Sequence, residues 1–164
     1  MDKPINVFDM LIKQRDEERE AIKTAKVVLR ENELPLENNP MGLYRWYLHP
    51  YKKDAPHRGL QIWVQEIPPG SRSGKQLIQG GLIHYVLEGR GYTELDGVRH
   101  EWEEGDMIML PIKGKGVEYQ HVNLDPEKPA KLVVAAPNFC HAFGVDMGAG
   151  FENLEASPDY RPEK

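Results

Sequence analysis

Apolar residues recur at close to helical spacing from about Val7 to Leu29, at Val7, Phe8, Leu11, Ile12, Ala21, Ile22, Ala25 and Leu29, with no Pro or Gly between. The pattern predicts an N-terminal α-helix, with a possible break near Asp16. Its charge-rich centre, KQRDEERE, reads as a solvated face whose opposite charges are spaced to pair, in preference to an interaction patch. The breaker-rich stretch ELPLENNPMG from Glu33 to Gly42 then ends the helical region and marks the best boundary in the chain.

Beyond that boundary the period changes. LYRWYL, LQIWVQEI, LIHYVL, GYTEL, DMIMLP, GVEYQHVN and KLVVAA are short β-type runs separated by turn residues, with no helix-length segment among them. This spacing favours an all-β antiparallel sandwich or barrel over a parallel α/β sheet. Asp96-Gly97, between Leu95 and Val98, tolerates the positive φ angles of a type I′ turn, so GYTEL is expected to pair with RHEWE. The division that follows is an N-terminal helical arm and linker over 1–40, a barrel over 41–146 and a C-terminal tail over 147–164. The tail, rich in Gly, Pro and charge, is either mobile or a strap on the barrel.

Composition narrows the function. A chain of 164 residues holds one sizeable core. A net charge of −5, with Lys and Arg scattered among Asp and Glu, makes nucleic acid an improbable partner. The opening residues carry Asp2, Lys3 and Asp9, and no later apolar run is long enough to cross a bilayer, so the expectation is a soluble, cytoplasmic protein without a membrane partner. Cys140 is the single cysteine, which excludes an intramolecular disulfide and a multi-cysteine zinc site.

Pro69-Gly70, the run from Tyr85 to Gly91 (YVLEGRG), and Gly105-Asp106 leading through Met107-Ile108-Met109-Leu110 to Pro111 together resemble the two motifs of the cupin superfamily. The resemblance covers roughly residues 41 to 145. It implies a double-stranded antiparallel β-barrel, jelly-roll-like, whose mouth holds a small ligand, usually beside a metal bound by three histidines and a glutamate. Within that superfamily GYTELDGVRHEWEEGD and YQHVN look most like the single-barrel relatives of gentisate-type ring-cleaving dioxygenases. The superfamily's spacing, counted back from Gly89, places the first-motif His-x-His at Gln76 and Ile78 and its glutamate at Leu82. Counted back from Asn123 it places the second-motif histidine at Tyr119. By the resemblance, then, the whole ligand set is substituted.

Side chains two apart on a strand share a face, so if residues 76, 78 and 82 point inward, His84 and Val86 do as well. The same parity groups Tyr119 with His121, above Val117, and turns Glu118 and Gln120 outward. Gln76, His84, Tyr119 and His121 can thus share one interior face. His84 and His121 are the tentative metal ligands, and with Tyr119 the candidate catalytic residues. Gln76, Ile78, Leu82 and Trp63 are the candidate ligand-binding residues. A plainer role stands beside each: a hydrogen-bonded core residue for either histidine or Tyr119, a rim position for Gln76, an apolar filling for Ile78 and Leu82. Gly80-Gly81 suggests a bulge that would shift this parity by one residue. His49, His57 and His100 are read as surface residues, Cys140 as a small buried hydrophobe, and Trp102, flanked by charge, as a cover on the outside of the barrel. His141 is too poorly oriented toward its neighbour Cys140 to form a nucleophilic dyad if the two lie on a strand.

Two functions remain open at this level. One is a small-molecule-binding barrel with a reduced or absent metal centre, taking a small carboxylate or an aromatic compound and holding no cofactor or only a weakly bound divalent Fe or Zn. The other is an oxidoreductase, a metal-dependent, dioxygenase-like enzyme acting on a small aromatic substrate through non-standard ligands. Barrels of this size with long N-terminal segments often pair, which implies a homodimer.

Overall fold

The computed structural model describes residues 6–145 and 150–162; the side chain of His141 and the opening residues Asp2 and Lys3 fall outside that description, as does the start of the tail at 147–149. A single helix, α1 (Val7–Lys23), opens the chain. Asn6 caps it by accepting the Asp9 N–H at 3.3 Å, and the helix runs unbroken through Asp16 before it stops short of the β-branched pair Val27-Val28. None of its residues is buried. Among the described residues an exposed Arg58–Glu18 ion pair at 3.6 Å reaches it, and Val7, Phe8, Met10, Leu11 and Ile22 are exposed.

Eleven strands follow: β1 (Glu37–Asn39), β2 (Gly42–Leu48), β3 (Leu60–Ile67), β4 (Lys75–Ile78), β5 (Ile83–Glu88), β6 (Arg90–Leu95), β7 (Val98–Glu103), β8 (Met107–Met109), β9 (Val117–Asn123), β10 (Ala130–Pro137) and β11 (Phe151–Glu155). They form two sheets, ordered β1-β2-β3-β10-β5-β8 and β11-β4-β9-β6-β7, and every pairing is antiparallel. From β3 onward the chain passes back and forth between the sheets, with only β6 and β7 consecutive in one of them. That crossing is what wraps two sheets around one interior, as the period-2 runs predict. A short helix, α2 (Cys140–Phe143), precedes the last strand. Among the described residues no helix is long and apolar enough to cross a membrane.

The β6–β7 hairpin is as the sequence predicts: Arg90 to Leu95 pair with Glu103 to Val98, and Asp96 (φ 49°) and Gly97 (φ 80°) make the turn. Trp102 departs from its expected place. It is 4% exposed and belongs to the core cluster with Tyr44, Trp63, Val86 and Leu132. The charges beside it, Glu101 and Glu103, lie on the opposite face of the strand, so they say nothing about where the indole points. Its ring lies over Gly91, where a Cβ would stand 2.6 Å from it. Gln120 also departs: it is buried, its Nε2 donating to the Ser73 carbonyl at 2.9 Å.

β4 and β5 are separated by Gln79-Gly80-Gly81-Leu82, with Gly80 at φ 98° and Gly81 at φ 78°. A Cβ on Gly80 would meet the Pro111 carbonyl oxygen at 2.0 Å, so both the conformation and the close backbone approach require glycine there. The break leaves the side-chain parity intact: Gln76, Ile78, His84 and Val86 are all buried. The tail is a strap. β11 pairs with β4, and beyond it Ser157 bonds Pro40 and Arg72 while the Asp159 carboxylate accepts from the Ser71 hydroxyl.

Candidate functional site

The barrel interior holds an aromatic cavity of about 260 Å³. One wall is the cluster Tyr44, Trp46 and Trp63, with Tyr44 and Trp63 stacked at 5.7 Å between ring centroids and Trp46 and Trp63 at 4.9 Å. Ile78 and Leu82 line it, as do Phe139 and Phe151 from the segments that follow β10. Gln76 and Tyr119 are polar lining residues, and among the described residues no Lys, Arg, Asp or Glu borders the cavity. The candidates Gln76, Ile78, Leu82, Trp63 and Tyr119 therefore share one chamber.

Gln76 and Tyr119 are direct cross-strand partners of β4 and β9, and the Tyr119 hydroxyl donates to Gln76 Oε1 at 2.6 Å. Gln76 Nε2 and Trp63 Nε1 make no hydrogen bond of ordinary length, although both side chains lie beside the Tyr44 hydroxyl. Burial pushes the Tyr44 phenol up to about 12, partly offset by Gln76 and Trp63 beside its hydroxyl. Tyr119 is raised well above the ordinary phenol value by its own burial and by Tyr44. Neither phenol ionises at neutral pH.

His84 and His121 lie beneath this floor and are not part of the cavity lining. Both are 0% exposed, with ring centroids 4.6 Å apart, and each is packed against Tyr119 at 5.8 and 5.3 Å respectively. His121 Nδ1 is 2.7 Å from Thr93 Oγ1, which in turn accepts the Trp102 indole N–H at 3.0 Å. His121 Nε2 and both nitrogens of His84 have no partner. Burial lowers the His121 imidazole to about 3, and burial together with the charge His121 would carry places His84 well below the usual imidazole value. Both rings are neutral at pH 7. No group of three or more His, Cys, Asp or Glu side chains converges in a way that could hold a metal ion among the described residues.

The other candidates fall away from the chamber. His49, His57 and His100 are exposed, and Cys140 is half-buried with Gln61 Nε2 3.8 Å from its sulfur. Sequence reasoning passed over Thr93, Tyr44 and Phe151, and it placed Trp102 on the outside of the barrel where the structure has it in the core. Thr93 sits opposite His121 in the β6–β9 register, a pairing between strands far apart in the chain that no local pattern reveals.

Residues 63–136 match the family model described as the cupin domain. Solved structures align over most of the chain at low identity. The polyketide cyclase RemF from Streptomyces resistomycificus is 17% identical with a TM-score of 0.59, over 82% of this chain and 89% of that one. An uncharacterised protein with a double-stranded β-helix domain from Klebsiella pneumoniae is 20% identical with a TM-score of 0.55, over 79% of this chain and 98% of that one. The fold is that of a cupin. Ectoine synthase from P. lautus also shares this cupin fold, at 16% identity and a TM-score of 0.50, over 80% of this chain and 91% of that one. The sequence matches no curated protein.

Proposed function

We propose that this cupin binds a small, neutral aromatic molecule bearing carbonyl or phenolic oxygens. The observation that carries the reading is the pair of buried donors, Gln76 Nε2 and Trp63 Nε1, which make no hydrogen bond of ordinary length and share the Tyr44 hydroxyl as their neighbour, in a chamber walled mainly by aromatic and aliphatic side chains with Gln61 and Gln79 as further polar lining. A buried donor without an acceptor costs about 1–3 kcal/mol, and an acceptor oxygen carried in by a flat apolar body recovers it. Of the two ligand classes the sequence suggests, the aromatic compound fits better than the small carboxylate. No described cation borders the chamber, and a carboxylate taken out of water without one is strongly disfavoured. Small-molecule enzymes such as the polyketide cyclase and ectoine synthase share the fold, which makes the barrel a credible housing for such a site.

A resident divalent metal fits these residues poorly. A cation in the chamber would meet an amide and a phenol held at high pKa, with two imidazoles beneath them and no carboxylate to offset its charge. The reading therefore assigns binding and orientation to Gln76, Trp63 and Tyr119 and routes no step through a metal.

The test is a thermal-shift screen of neutral aromatic ketones and phenols against matched benzoates. The expected result is stabilisation by the neutral set, reduced in Gln76→Leu and Trp63→Phe. Stabilisation by benzoates alone, or equal shifts in wild type and both variants, would overturn the reading.

A further inference from the structure

Among the described residues the buried histidine pair beneath the chamber is the feature that would most favour a metal, because three of its four ring nitrogens have no partner. The fourth decides what the pair can do. Thr93 Oγ1 lies between Trp102 Nε1 at 3.0 Å and His121 Nδ1 at 2.7 Å. An indole N–H only donates, so the Thr93 oxygen must accept from Trp102. Its own proton then needs an acceptor, and Thr93 is 1% exposed, so water does not supply one. Among the described residues His121 Nδ1 is the acceptor within reach. With a proton on Nδ1 instead, the Thr93 oxygen would accept two N–H bonds and strand its own hydroxyl hydrogen in the core.

We infer that Trp102 and Thr93 form a hydrogen-bond relay that holds His121 in the Nδ1-acceptor, Nε2–H tautomer, so that the buried His84–His121 pair is neutral and is not a metal site. A ring nitrogen that carries a proton has no lone pair to give to a cation, so His121 Nε2 ligates only if the relay is broken. Trp102 and Thr93 are positioning residues: they act through His121. The inference shares with the proposed function the poor fit of a metal, but it concerns the ligand-free protein and stands or falls separately.

The experiment is long-range ¹H–¹⁵N NMR of the histidine rings in the ligand-free protein, followed by cobalt titration. In wild type the His121 resonances should show a protonated Nε2 and an unprotonated, hydrogen-bonded Nδ1. Thr93→Val should move the Nδ1 resonance to the position of an unbonded ring nitrogen and shift the Trp102 indole proton, while Thr93→Ser should leave both near wild type. A merely structural Thr93 would leave the Nδ1 resonance where it is. Cobalt(II) added to wild type should give no visible absorption band from nitrogen ligation. A protonated Nδ1 in wild type, an unmoved Nδ1 resonance in Thr93→Val, or a stoichiometric cobalt band lost in both His84→Ala and His121→Ala would each overturn the inference. Failure of the ligand screen would leave these outcomes untouched.

Discussion

Tyr119 and Gln76 face each other across neighbouring strands and are joined by a 2.6 Å hydrogen bond from phenol to amide oxygen. The bond ties two buried polar groups together inside a largely apolar chamber, and it leaves both amide hydrogens of Gln76 on the side of Tyr44.

Removing the Tyr119 donor should strand Gln76 Oε1. Tyr119→Phe is expected to lower stability by about 1–2 kcal/mol in urea unfolding. Gln76→Leu in the same background should cost less than it does alone, because the partner it would orphan is already gone. Strictly additive losses would show that the bond is not made in solution.

The histidine pair makes a prediction about pH. His121 is lowered to about 3 by burial, and His84 is lowered by burial and by its neighbour, so both rings are neutral when folded and take up protons when unfolded near the ordinary value of 6.5. The unfolded state therefore binds more protons as pH falls below about 6.5, and their contribution to stability is present above that value and lost on the way down toward 3. At the steepest, each ring should contribute a slope of about 1 kcal/mol per pH unit. Urea midpoints between pH 7 and 5 should flatten in His121→Asn relative to wild type; an identical pH profile for the two would sink the assignment.

Gly80 offers a conformational test. Gly80→Ala would combine a φ of 98° with a Cβ placed 2.0 Å from the Pro111 oxygen. The expected cost is at least about 2 kcal/mol, read as a lower unfolding midpoint. Gly97→Ala, where nothing lies within 4 Å, should cost less despite its φ of 80°.

The barrel was legible because its signals are local. Period-2 runs, the Asp96-Gly97 turn and the two motif ends each lie within a few residues of one another, and strand parity carried Gln76, Ile78 and His84 to the interior even across the glycine break. The relay was not legible. It depends on Thr93 standing opposite His121 and on which face of β7 Trp102 occupies, and the glutamates on either side of that tryptophan pointed the wrong way. The helix was half legible: its periodicity gave its existence, but its C-terminal end falls six residues before Leu29, and Val7, Phe8, Met10, Leu11 and Ile22 stay exposed where the pattern implies a packed face.

The outer face of the β5–β8 pair is where self-association can be tested. Ile83 stands opposite Met109 and Tyr85 opposite Met107, and with Leu87 these side chains are 41–68% exposed in one apolar patch. A second copy of the chain is the expected cover. Light scattering after gel filtration should give a dimer for wild type and a monomer for Tyr85→Glu; a wild-type monomer at tens of micromolar would refute it.

β11 gives the chamber a kinetic character. It is an edge strand, exposed along its whole length, with a register slip between Asn153 and Glu155, yet its Phe151 forms part of the chamber wall and its partner strand carries Gln76 and Ile78. Edge hydrogen bonds of this kind open at a fraction of the free energy needed to unfold a core. Fraying of the last strand therefore exposes the chamber without disturbing the barrel, and the amide exchange rates of residues 151–155 are where occupancy of the interior would first be felt.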